Sequence, residues 1–202
     1  RFRELQREAQ HSALDAVDLI VCTCSAAGDP ILLGRKFASL VIDEAAQCTE
    51  PEAMVPITTG VRSVLLVGDE SQLSPSVSEP RALAAGLGVS LFERLLTGGI
   101  DSVQLDTQYR MHPAISLFPS ERFYAGGLHD GKNTRLRFRP DVTFPWPCAR
   151  TPLFFWHVKG PGELKRGGAI SNATEATAVQ TVVDSLVENG AEEQEIVVIT
   201  PY

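Results

Sequence analysis

The chain has 202 residues, 44% of them hydrophobic and 21% charged, a balance that excludes intrinsic disorder and supplies apolar material for one or two domains of roughly 100–200 residues. Its longest apolar runs, such as 64–67 and 196–199, fall far short of the ~18–20 residues that cross a bilayer, so a soluble protein is expected. A net charge of −7 argues against a protein that holds nucleic acid through a broad positive field, but leaves open a grip made by backbone amides and hydroxyls on phosphates.

Residues 3–16 have the character of a helix, and the chain starts at Arg1 with no charged leader after it, so a cut or processed end is expected. Runs rich in Val, Ile and Leu follow at Asp18–Cys24, Ser39–Ile42, Ser63–Val67, Ser102–Leu105, Leu153–Val158 and Glu195–Thr200. Alternating with helical or loop segments, they predict a mainly parallel α/β sheet whose strands are buried on both faces. Pro51 to Ile57 is expected to be helical, because Thr49 and Glu52 stand at capping-box spacing. Prolines 140, 145 and 147 make 138–152 an irregular connector. Asn172 caps a helix whose apolar positions Ala176, Val179, Val182, Val183, Leu186 and Val187 recur at helical spacing, and Gly190 stops it. The last run then ends the chain, which is the expectation for an unfinished domain.

Cys22, Cys24, Cys48 and Cys148 form no CxxC pair and have no histidine at zinc-like spacing. Reduced thiols in a cytosolic or nuclear protein are expected. In the basic run Lys132, Arg135, Arg137 and Arg139 the three arginines alternate along the chain, and the run suits a solvated edge better than a site.

In open parallel sheets ligands bind beyond the carboxyl ends of strands, which directs attention to the residues just past each run. Asp43 and Glu44 follow Leu40-Val41-Ile42. Such carboxylates can serve Mg²⁺ and an attacking water, or simply cap the next helix. Gly68-Asp69-Glu70-Ser71-Gln72 follows the third run, and Asp106-Thr107-Gln108-Tyr109-Arg110 the fourth. Gln72 can sense a phosphate or a water, Arg110 can meet phosphoryl charge, and Tyr109 can stack on a base.

The strings VIDEAAQCTEPEAMVPI, LLVGDESQLSPSV, LDTQYRMHPAISLFPSERFYAGGL and VVITPY resemble consecutive motifs of the superfamily 1 helicases. With VCTCSAAGDP before them, the chain looks like the up-frameshift group, the RNA helicases of nonsense-mediated mRNA decay. WPCARTPLFFWHVKG and SNATEATAV extend the likeness. The resemblance implies a P-loop NTPase fold with RecA-like parallel sheets, in parts of two tandem RecA-like domains: 1–108 from the second half of one, 109–202 from the first half of the next. It makes Asp43 and Glu44 the Walker B pair, Asp43 for Mg²⁺ and Glu44 for the catalytic water. Gln72 becomes the γ-phosphate sensor with Asp69 supporting it. Tyr109 packs on the adenine, Arg110 is an arginine finger, and Thr23 touches the nucleic-acid backbone. The implied cofactors are ATP and Mg²⁺. The implied partners are single-stranded RNA, with DNA as the alternative, and other mRNA-decay factors; the implied location is the cytoplasm, with the nucleus as alternative.

This sequence departs from the pattern in places. No G-x-x-x-x-G-K-[ST] loop occurs, so the phosphate cradle is absent and the chain alone is not expected to hydrolyse ATP. Ser74 stands where many relatives have Pro or Gly, and Glu70 where an uncharged residue or His is common. A non-catalytic RNA clamp and a Mg²⁺ nuclease built on Asp43, Glu44 and Asp69 are the rival readings.

Overall fold

A computed structural model describes residues 1–137, 142–148, 151–164, 168 and 170–200. Its contacts divide the chain into one unit of Arg1–Gln104 and a second of Leu105–Tyr202.

In the first unit, α1 (Phe2–Asp15) is followed by a short turn at Ala26–Gly28, β1 (Ser39–Ile42), α2 (Glu50–Ile57), β2 (Ser63–Leu66), α3 (Pro80–Ala84) and α4 (Leu91–Thr97). The helix connection lets β1 and β2 run parallel, in a register that sets Ser39 beside Ser63 and Ile42 beside Leu66. Strand alternation sends Leu40 and Ile42 to one face, where Ile42, Ala45, Ala53 and Leu91 form the core, with Leu66, Ile57, Phe92 and Leu95 packed around it. Val41 and Leu65 point away and are 61% and 57% exposed. The expected burial on both faces is therefore corrected to burial on one.

Three polar contacts start these helices and join them to each other. The Glu52 carboxylate accepts from the Thr49 N–H at 3.0 Å and hydroxyl at 2.7 Å, starting α2 at the expected capping box. Fully buried Ser90 accepts the Glu93 N–H at 3.0 Å and starts α4, while Arg94 clamps Glu50 through two 2.7 Å bonds that tie α4 to α2.

The second unit contains β3 (Thr107–Gln108), α5 (Pro113–Phe123), β4 (His129–Asp130), β5 (Glu163–Leu164), β6 (Ile170–Ser171) and α6 (Ala173–Glu188). β3 and β4 pair in parallel around α5, and β5 and β6 pair antiparallel. Asn172 caps α6 by accepting from Thr174 and Glu175, and Gly190 follows it with φ +103°. Both were expected. The region 142–148 is irregular, as its prolines require.

Four expected strands are corrected. The segments 18–24, 102–105, 153–158 and 195–200 join no ladder among the described residues. Several of their apolar side chains stand in solvent, Val21 at 86%, Val103 at 90% and Ile199 at 89% exposure, while Ile20, Phe154 and Ile196 are half-buried. A strand exists only when another lies about 4.8 Å away to take its hydrogen bonds, and apolar composition cannot supply that neighbour. Pro201 and Tyr202, which end the VVITPY string, and Arg139 of the basic run lie outside the described residues. No described helix is long and apolar enough to cross a membrane, and none of the four cysteines forms a disulfide among the described residues. Burial, and then the neighbouring Cys24, push the Cys48 thiol up to about 12, which favours its protonated form.

The capping box sets a pH dependence. The Thr49 hydroxyl first, and its N–H second, hold the Glu52 carboxyl below its ordinary value. Stability from this source is complete above the unfolded pKa of about 4.3 and is lost as pH falls through the lower folded value. The melting temperature of Glu52→Gln should thus fall less than that of the wild type on acidification through this window; identical acid profiles would show that the carboxylate adds nothing.

Candidate nucleotide site

The parallel pair continues past its last assigned residues. Val67 N–H donates to Ile42 O at 2.9 Å, and Ala45 N–H donates to Val67 O at 2.8 Å. These bonds bring Asp43-Glu44 and Gly68–Gln72 to one sheet end. Gly68 is required there, since a Cβ would stand 2.9 Å from Ala46 N and 3.3 Å from Ala45 N, both backbone atoms.

Within the cluster, Asp43 Oδ1 accepts the Glu44 N–H at 3.1 Å. Glu44 occupies the left-handed region at φ 53°, a conformation costing a non-glycine residue about 1–2 kcal/mol. Its Oε2 accepts from Gln47 Nε2 at 2.9 Å. Asp69 Oδ2 accepts from Gln72 Nε2 at 2.7 Å, while Oδ1 accepts the Ser71 N–H at 3.0 Å. Asp43, Glu44 and Gln72 are exposed, and Asp69 is half-buried. Thr23 lies in the same unit, where its hydroxyl oxygen accepts the Ala26 N–H at 3.2 Å and starts the Ala26–Gly28 turn.

Tyr109 and Arg110 belong to the second unit, in the exposed bend between β3 and α5. Gln108 Oε1 accepts their turn's N–H groups, from Arg110 at 2.9 Å and from Met111 at 2.7 Å. The Tyr109 ring covers the backbone of Gly131, where a Cβ would overlap it.

Among the described residues no three His, Cys, Asp or Glu side chains group to hold a metal. Mg²⁺ is commonly held by one or two carboxylates, waters and nucleotide phosphates instead of an all-protein cage. Asp43, at the end of β1, is placed to be such a carboxylate.

Residues 87–202 match a family described as AAA domain, and residues 1–80 match a second family of the same description. The chain belongs to the AAA domain family. Its fold class is that of the P-loop NTPases, mixed α/β with parallel pairing. It is similar to a Regulator of nonsense transcripts 1 homolog of Neurospora crassa, 44% identical across 100% of this chain and 19% of that protein. It is also similar to ATP-dependent helicase NAM7 of Saccharomyces cerevisiae, at 41% across 100% of this chain and 21% of that protein. For ATP-dependent helicase upf1 of Schizosaccharomyces pombe the figures are 40%, 100% and 22%. The chain spans about a fifth of the length of these relatives.

In this AAA domain chain, sequence reasoning missed Gln47, Gln108, Ser116 and Asp130. Gln47 stands three residues after Glu44, a spacing at which side chains meet in a helical turn, so its signal was present. Asp130 lies 22 residues from Gln108, and no local pattern announces that contact.

Gly68→Ala should lower stability by about 1–3 kcal/mol, the usual cost of forcing a methyl into a packed site. Urea unfolding of the variant measures this, and an unchanged midpoint would show that the two strand ends do not meet as closely as described.

Proposed function

We propose that this chain is part of an ATP-dependent helicase that moves on single-stranded nucleic acid, RNA in the first place, in nonsense-mediated mRNA decay. The observation that carries the reading is the meeting of Asp43, Glu44, Asp69 and Gln72 at the ends of two adjacent parallel strands. The names of the relatives, helicase and regulator of nonsense transcripts, support it. So do the two contact units, which suit parts of two RecA-like domains meeting near 108–109. The exposed apolar segments also fit a larger sheet completed by other parts of the parent protein.

In this reading Asp43 takes the Mg²⁺ that accompanies ATP, an ion that neutralises phosphate charge. Glu44, its carboxylate held by Gln47, orients the attacking water. Gln72, steadied by Asp69, reports the γ-phosphate. Arg110 donates to the transferring phosphoryl group, and Tyr109 packs on the adenine. Thr23 keeps its hydroxyl proton for a phosphate of the strand, since the oxygen serves Ala26 only as acceptor. Other decay factors are partners of the complete protein, which works in the cytoplasm.

Two substitutions in the complete protein test this assignment. Glu44→Gln should reduce ATP hydrolysis by about 10²–10⁴-fold, the range for losing a general base, while ATP binding survives. Equal loss of binding and turnover would make the acidic pair structural. Mg²⁺-dependent RNA cleavage without ATP would favour the nuclease, and RNA binding with no ATPase the clamp.

Arg110→Ala should cost about 10³-fold or more in turnover. Lysine should not restore it, because a point charge does not replace a planar fork that reaches two oxygens. RNA affinity without nucleotide should hardly change. Near-normal ATPase with weakened RNA binding would instead place Arg110 on the strand.

A further inference from the structure

Tyr109 and Arg110 sit in an exposed bend with only a two-residue strand before it, so something beyond regular structure must hold the backbone that presents them. Gln108 does this with its whole amide. A glutamine amide has two N–H donors and an oxygen with two lone pairs. Here Oε1 accepts from Arg110 N–H at 2.9 Å and Met111 N–H at 2.7 Å, while Nε2 donates to Met111 O at 2.9 Å and to Asp130 Oδ1.

Which way round the amide lies is not decided by its shape, because oxygen and nitrogen are nearly interchangeable sterically. Asp130 decides it. An ionised carboxylate only accepts, so it can face only Nε2, and Oε1 is then turned to the N–H groups of 110 and 111. Asp130 is itself fixed, since its Oδ1 also accepts from the hydroxyl of buried Ser116 at 2.7 Å. The Ser116 and Gln108 bonds hold its carboxyl below the ordinary value. The next residue, Gly131, donates its N–H to Gln108 O at 2.8 Å and lies under the Tyr109 ring, so the chain at the end of β4 meets both Gln108 and Tyr109.

We propose that Gln108 and Asp130 are an orienting pair: positioning residues that fix the bend presenting Tyr109 and Arg110 to the nucleotide. This rests on the reading of Arg110 as a phosphate-contacting group. The pair touches no substrate itself. It sets the peptide from which the guanidinium extends.

The test uses the complete protein and the variants Gln108→Glu, Asp130→Asn, the two combined, and Arg110→Ala. Asp130→Asn should lower kcat less than Gln108→Glu does, because its amide oxygen can still accept from Nε2 although it no longer excludes the reversed arrangement. Gln108→Glu sets two carboxylates face to face and removes the donor to Met111 O. It should lower kcat by about 10²-fold, as displacement of a catalytic group by an ångström does, with the folded state retained by thermal melt. The double variant should recover most of the loss, since the amide introduced at position 130 can turn an N–H toward the carboxylate introduced at position 108, where the single variant has two charges opposed. Amide hydrogen exchange at Arg110 and Met111 should rise in Gln108→Glu and fall again in the double variant.

A merely structural role would not produce that recovery. A double variant no better than Gln108→Glu, or unchanged exchange at Arg110 and Met111, overturns the proposal. So does an unchanged kcat in Gln108→Glu, and Arg110→Ala then locates the fault. If Arg110→Ala is also unchanged, the phosphate reading of Arg110 fails as well; if its kcat falls, only the orienting pair fails. Should Gln108→Glu unfold, the double variant decides alone through the same two measurements.

Discussion

The parallel pairing of β1 with β2 is the constraint on which the first unit depends. Parallel strands point their carboxyl ends the same way, so whatever follows each strand arrives at one edge. The two bonds beyond the strands, Val67 to Ile42 and Ala45 to Val67, bring those following segments together. Gly68 permits the approach by having no side chain. Without it the carboxylates of Asp43 and Glu44 and the Asp69–Gln72 pair would belong to separate loops. The unfavourable backbone of Glu44 belongs to the same arrangement: the strand end and the following buried turn of Ala45 and Ala46 fix it from both sides, which is how strain persists at a site.

An acidic chain is an awkward candidate for binding phosphates, and the net charge of −7 makes that objection concrete. The sheet end answers part of it. Its acids are not scattered over a surface: they are engaged by local donors, Glu44 by Gln47 and Asp69 by Gln72 and Ser71. In the proposed reading such acids would act on a cation or a water held between them and the nucleotide, a role for which negative charge is required. Net charge governs long-range attraction, and a site of this kind works at contact distance.

What was legible in the sequence follows the range of the interaction that fixes it. The caps of α2 and α6 were legible because Thr49–Glu52 and Asn172–Glu175 are decided within three residues. So was the polar cluster after Ile42 and Val67, since a strand end is marked by the change from apolar to charged residues. The segments 18–24, 102–105, 153–158 and 195–200 were misread because a ladder is a relation between distant segments, and their composition carries no record of the partner. Asp130 was missed for the same reason. Nothing near it in sequence says that Gln108 will pair with it across β3 and β4.

The three glutamines of these clusters share one device and differ in how far they use it. Each places Nε2 on a carboxylate: Gln47 on Glu44, Gln72 on Asp69 and Gln108 on Asp130. A carboxylate that can only accept fixes the amide's orientation, so all three present their oxygens in a defined direction. Gln108 spends both of its remaining capacities on the bend at 110 and 111, which leaves nothing for a ligand and makes it part of the framework. Gln72 has one side-chain bond, to Asp69, and keeps its oxygen and a second N–H for a phosphate or a water. The degree of saturation of an amide therefore sets Gln108, which is fully engaged, apart from Gln47 and Gln72, which have one side-chain bond each and keep capacity for what enters the site.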